Sequence, residues 1–514
     1  MTPNILLITA DQWRGDCLGA AGHPVLRTPA IDALAAEGVY FARHFSQAAP
    51  CSPGRASLYT GLYQMNHRVL RNGTPLDARH DNIAKALARR GYRPTLFGYT
   101  DQAVDPRTTT PDDPRLTTYE EVLPGFEVAV KLPEDNGAWF DWMQTRGHVL
   151  PEDRWALFWP ERGRPALPDG APPRFSQDET ETAFLTGAFL DWMGRQPQDA
   201  PWCAHLSFLR PHPPFVVPEP FDAMYDPADG PAFRRAADAT AEAAQHPYLG
   251  YWLAQTRGGS FCFLSEPQRP VADWPEAAFR QVRATYWGMI SEVDRQIGRL
   301  VAGLKAAGAW DNTVIALTSD HGEMMGDHWT LGKFGYFDQA YHVPLIVRDP
   351  RHPEGFGSRV TAFTEAVDVV PTLLDAAGAE RDGPADGRAL TPFLAGGVAA
   401  DWRREAHWEF DFRDVVSRAP QQELGVDLDD CSLAVIRGER WKYVHFAGLP
   451  PLLFDLREDP AELNNLAGDP AHLAVRVEMA EKLLAWRSRH LDRRLTGIAL
   501  TARGPVDARA AAGA

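Results

Sequence analysis

The fold is decided by Thr313-Val314-Ile315-Ala316-Leu317-Thr318-Ser319-Asp320-His321-Gly322-Glu323. An uncharged, β-branched run ends abruptly in an acid–imidazole doublet. A strand apolar on both faces belongs inside a parallel sheet covered by helices. Residues 4–10, Asn-Ile-Leu-Leu-Ile-Thr-Ala, have the same character and also stop at an acid, Asp11. Residues 94–99 and 201–208 read as further strands. Helical patterns fall at 30–37, 82–91 and 276–306, the last with Phe279, Val282, Tyr286, Ile290, Val293, Ile297, Leu300 and Leu304 at three-to-four spacing. This alternation predicts an α/β fold, a large mixed and mostly parallel sheet sandwiched by helices. Short strands at 432–437, 441–446 and 451–455 and a helix near 471–489 predict a smaller C-terminal α+β subdomain. The expected division is a main domain over 1–400, the subdomain over 401–490, and a tail or oligomerisation arm over 491–514. Residues 105–178 and 213–275 are rich in Pro, Trp and charge, and read as insertions that wall a site.

Composition narrows the function. Among 514 residues, 52 Lys and Arg stand against 68 Asp and Glu, a net charge of −16. That excludes a sequence-independent nucleic-acid binder and requires a local positive site for any anionic ligand. The N-terminus lacks the basic leader of a secretory signal, and no apolar run is long enough to span a bilayer. Five scattered cysteines are odd in number. A reduced, cytoplasmic location without disulfides is expected.

Asp11 and Asp320-His321 sit where strands end, and ligands of open parallel sheets gather at strand carboxyl ends. Two carboxylates and an imidazole converging there would suit a divalent ion; alternatively, each Asp caps a turn. Cys51, in Pro50-Cys51-Ser52-Pro53-Gly54-Arg55, stands at a helix start, where the dipole and free amides favour an anion or thiolate. The alternative is a small buried hydrophobe, for which the flanking prolines and Arg55 make poor surroundings.

Cys51-x-Pro53-x-Arg55 resembles the signature of the sulfatase family within the alkaline phosphatase superfamily. Asp11-Gln12 and Thr318–Glu323 resemble that family's two metal-binding stretches, in the same order, and Gly326-Asp327-His328 with Gly332-Lys333 resembles its downstream lysine motif. Met65–Arg68, Asp105–Thr109, Arg210–Phe215 and Tyr443–Ala447 extend the likeness towards the phosphonate monoester hydrolase and arylsulfatase subgroup. The resemblance implies an alkaline phosphatase-like fold and hydrolysis of sulfate monoesters, phosphonate monoesters or phosphate diesters as small anionic substrates. It implies that Cys51 is converted to formylglycine by a maturation enzyme. The aldehyde hydrate then attacks sulfur or phosphorus, and the covalent ester collapses by carbon–oxygen cleavage. Asp11, Asp320, His321 and residue 51 would hold one metal ion, with Gln12 and Asn72 as ligands or anion donors. Arg55 would support the nucleophile, His212 and Lys333 would serve the leaving oxygen, and Tyr99 would line the substrate wall.

Two features depart from the family pattern. Gln12 replaces a common Asp and His321 a common Asn, which makes the ion less strictly calcium and leaves one manganese or calcium ion expected, with zinc as a further choice. Asp101 stands where the subgroup has a small hydroxyl residue; its charge would penalise dianions. The competing readings are a superfamily phosphotransferase or mutase, and a non-catalytic sulfate- or phosphate-binding relative. The subgroup's habit of assembling implies a dimer or tetramer.

Overall fold

A computed structural model describes residues 2–197 and 199–507; the last part of the expected tail, 508–514, lies outside the described residues. The main sheet has eight strands: β1 (Asn4–Ala10), β2 (Val39–Phe41), β3 (Pro94–Gly98), β4 (Glu127–Lys131), β5 (Cys203–Phe208), β6 (Thr313–Thr318), β7 (Leu345–Arg348) and β8 (Ser358–Val360). Their spatial order is β4-β3-β5-β1-β6-β7-β2-β8. All neighbours pair in parallel except β7, which runs antiparallel to both β6 and β2.

The central strands are apolar throughout because both faces are covered. Leu6, Ile8, Ile315 and Leu317 join one core, which includes Val282, Ile290 and Ile297 of the helix Glu276–Ala306. Their alternates Ile5, Leu7, Val314 and Ala316 join the other, under the helix Val369–Ala377. Side chains of successive strand residues point to opposite faces, so one apolar run serves both layers.

β4 lies inside 105–178, so this segment supplies the sheet's edge strand as well as wall. Its exposed Glu127, Val128 and Ala129 carry no core periodicity, which leaves the strand illegible in the sequence. The second sheet, β9 (Ala406–Asp411), β10 (Ser432–Arg437), β11 (Trp441–Phe446) and β12 (Leu452–Asp455), is an antiparallel meander. One face packs Ile436, Tyr443 and Leu453 on the helix Leu473–His490 through Leu483 and Trp486. The other packs Trp408, Phe410 and Val444 against Tyr248, Tyr336 and Tyr341 of the larger unit. The tail, expected to be unstructured or an arm, forms an exposed antiparallel pair, Ile498–Thr501 with Gly504–Asp507. No helix among the described residues is long and apolar enough to cross a membrane.

Candidate active site

The register of the central strands builds the site. β1 and β6 pair from Asn4↔Thr313 to Thr9↔Thr318, and the same register carried two residues further sets Asp11 beside Asp320. On the other side, Ala10 pairs with Phe208, so the chain leading to Arg210 and His212 leaves the sheet at the same edge. The helix α1 (Cys51–Thr60) begins here, with Cys51 in its first turn and 1% exposed. One ligand atom each from Asp11, Cys51, Asp320 and His321 lie within 4.8 Å of one another. Asp11 Oδ1 is buried with no hydrogen-bond partner. This unsatisfied oxygen, among a second carboxylate, an imidazole and residue 51, fits a divalent cation better than a capping role.

Arg55 lies under the cluster, fully buried. Its Nη2 donates to Asp11 Oδ2 and its Nε to Asp320 Oδ2, both at 3.0 Å, while Nη1 reaches Ser207 Oγ at 2.9 Å and the Tyr59 hydroxyl at 3.1 Å. A planar fork is needed to hold two carboxylates at once. Burial opposes ionisation of Asp11, but His212, Arg55, His321 and Lys333 outweigh it and hold this carboxyl well below its usual range. Burial and the neighbouring Asp11 push Asp320 up. Burial and Lys333 bring His321 down to about 3, so its ring is neutral, as a ligand must be.

Several expectations change here. A helix start should favour the Cys51 thiolate; instead, burial first and Asp11 next push the thiol well above its ordinary value. Desolvation beside two carboxylates outweighs the dipole. His212, pinned by Nδ1 to the Pro213 carbonyl at 2.8 Å, is brought down to about 4 by burial and Lys333. It is therefore not a standing acid at neutral pH. Lys333 is the standing cation: burial would lower it, but Cys51, Asp11 and other acids hold it above its ordinary value. Tyr99, expected in the substrate wall, lies beneath the ligand cluster. It is buried, its hydroxyl donates to Asp11 Oδ2, and the Arg55 guanidinium lies 4.1 Å from its ring centre.

Gln12, expected as a ligand or anion donor, has its Oε1 accepting from Lys333 Nζ at 2.6 Å and its Nε2 donating to Glu323. Asn72 Oδ1 accepts from the Ser52 amide at 2.9 Å, fixing the turn that carries Cys51. Asp101 is fully buried at φ 51°, 3.9 Å from Arg55 Nε, with both carboxyl oxygens unpartnered. Burial pushes its carboxyl well above its usual range, with Arg55 pulling the other way.

Four participants escape the sequence. Ser207 leaves a weak signal, a hydroxyl inside an apolar strand, and Tyr59 lies one helical turn after Arg55. Glu323 is visible only as part of a motif. Glu134, which offers an atom within 4.8 Å of both Cys51 and His212, lies in an aperiodic insertion and leaves none.

The family model described as Sulfatase matches residues 3–379, and that described as N-sulphoglucosamine sulphohydrolase, C-terminal, matches 326–489. The chain is 45% identical over 501 residues to the multifunctional alkaline phosphatase superfamily protein PehA of Trinickia caryophylli, covering 96% of each. It is 26% identical to an arylsulfatase of Clostridium perfringens, covering 94% of each. The crystal structure of the phosphonate monoester hydrolase of Agrobacterium radiobacter superposes with a TM-score of 0.96 at 55% identity, over 98% of this chain and 99% of that one.

Proposed function

The chain belongs to the sulfatase family, hydrolases of sulfuric and phosphonic esters, and on that premise we propose that it cleaves sulfate monoesters, phosphonate monoesters and phosphate diesters through formylglycine made from Cys51. The observation that carries this reading is the 4.8 Å convergence of Asp11, Cys51, Asp320 and His321 at the carboxyl edge of the sheet, with Arg55 beneath. The family implies a metal ion; Asp11, Asp320, His321 and residue 51 would hold it, and the mixed carboxylate–imidazole set favours manganese over calcium, with zinc also compatible. When present, the ion and the aldehyde hydrate supply a nucleophilic oxygen and a second hydroxyl through which residue 51 is freed.

The remaining work falls to side chains. Arg55 fixes Asp11 and Asp320 and favours their ionised forms. Asn72 orients the turn bearing residue 51. Lys333, aimed by Gln12, neutralises charge growing on the leaving oxygen or gives it a proton. His212, with Nδ1 committed to a carbonyl, presents Nε2 to the same oxygen. A cytoplasmic homo-oligomer, served by a maturation enzyme, fits the scattered thiols and the exposed terminal hairpin.

The test begins with the mass of the peptide containing residue 51, which should be about 18 Da below the cysteine form. Protein so modified should hydrolyse 4-nitrophenyl sulfate and phenyl phosphonate esters. An unmodified thiol in active protein would overturn the mechanism.

A further inference from the structure

A cavity of about 230 Å³ opens beside Arg14 and Asp16 and shares no residue with the metal-ligand cluster. Arg234, Arg283, His23 and Asp327 also line it. Both acids are already committed to one cation. Arg14 Nε lies 2.7 Å from Asp16 and its Nη1 2.9 Å from Asp327.

Two arginines remain. Arg283, on the long helix, is only 6% exposed and forms no ion pair among the described residues. Its Nη1 donates to the Pro231 carbonyl at 2.7 Å, and its guanidinium carbon lies 4.1 Å and 5.1 Å from the ring centres of Phe233 and Trp287. Arg234 is exposed, pinned by its backbone amide to Asp327 Oδ1 at 2.9 Å, and its side chain forms no ion pair among the described residues. His23 adds a neutral donor. Its Nδ1 accepts from the amides of Val25 and Leu26 at 3.2 and 2.9 Å, which places the ring hydrogen on Nε2. Burial holds this ring below its ordinary pKa, and Nε2 has no protein partner among the described residues.

Three arginines against two aspartates leave the wall positive in a chain of net charge −16. A guanidinium withdrawn from water without a carboxylate is costly, and its planar fork matches two oxygens of an oxyanion. The uncommitted groups here are all N–H donors.

We propose that this cavity is a second anion site, which binds one inorganic oxyanion of the sulfate or phosphate class on Arg283, Arg234 and His23. The ion joins the long helix, the insertion over 213–275 and the turn after Leu18, three parts remote in the chain. The site stands whether or not the hydrolase reading does.

The experiment soaks crystals of the metal-loaded, formylglycine-bearing enzyme in sodium selenate, an anomalous scatterer with the shape of sulfate. Two selenates per chain are expected, one over residue 51 and one between Arg283 and His23. Arg283→Gln should lose the second and keep the first. In solution, equilibrium dialysis with labelled sulfate should find two sites in the wild type and one in R283Q. If R283Q does not fold, Arg234→Gln, an exposed change, should weaken the second site at least about fivefold. A single selenate at residue 51 overturns the proposal, as does a cavity selenate that these substitutions leave in place. Selenate scattered equally over other exposed arginines, an adventitious ion only, overturns it too.

Discussion

The Lys333 ammonium donates to Gln12 Oε1 at 2.6 Å, and the same amide donates onward to Glu323. Gln12 so links the Lys333 ammonium to the buried Glu323 carboxylate.

Gln12→Ala should lower kcat/KM about 10- to 100-fold, most for esters of poor leaving groups, and leave metal content unchanged. Combined with Lys333→Ala it should cost little more than K333A alone, because the two act as one unit. Additive losses, or loss of metal by elemental analysis, would refute the arrangement.

Arg55 pairs with both Asp11 and Asp320 in the buried cluster. Arg55→Met should destabilise the metal-free protein by about 3–5 kcal/mol, since it strands buried charge. Added manganese should recover part of the lost Tm, because it supplies positive charge at the same carboxylates. Calorimetry with and without metal would show the narrowing; an unchanged gap would contradict it.

His321→Asn exchanges a nitrogen ligand for an oxygen. Affinity for manganese or zinc should fall at least about tenfold relative to calcium. Competition titrations read the ratio directly, and an unaltered preference would remove His321 from the ligand set.

Glu292, buried in the long helix, accepts a hydrogen bond from Thr180 at 2.7 Å. Burial pushes its carboxyl up to about 7. The folded state therefore holds this proton more tightly than the unfolded chain, and the stability it brings is present in acid and lost as pH rises from the ordinary carboxylate range through about 7. Glu292→Gln should gain on the wild type above pH 7, by about 2–3 °C in Tm. A Tm difference that does not grow between pH 5 and 8 would count against it.

Dianions meet Glu134 as well as Asp11 and Asp320 at the site. Aryl sulfates and phosphonate monoesters should therefore exceed an aryl phosphate in kcat/KM at pH 8, by at least about tenfold. Equal turnover would contradict the charge argument.

Much of this protein is written locally. The runs 4–10 and 313–318 are apolar at nearly every position because both faces of the sheet are covered, and the stripe of 276–306 matches the observed helix end to end. The motif around Cys51 and the acids closing two strands are likewise local, so the candidate ligands can be named from the chain alone. What tertiary structure decided depends on neighbours remote in the chain. The antiparallel β7 and the edge strand β4 are short or exposed and carry no period. The β1–β6 register turns two strand ends 309 residues apart into one site. The protonation of Cys51, His212 and Asp101 follows from burial beside particular charges, which spacing along a sequence does not record. Glu134 joins the site because the insertion that carries it folds back over residue 51, a long-range contact with no local signature.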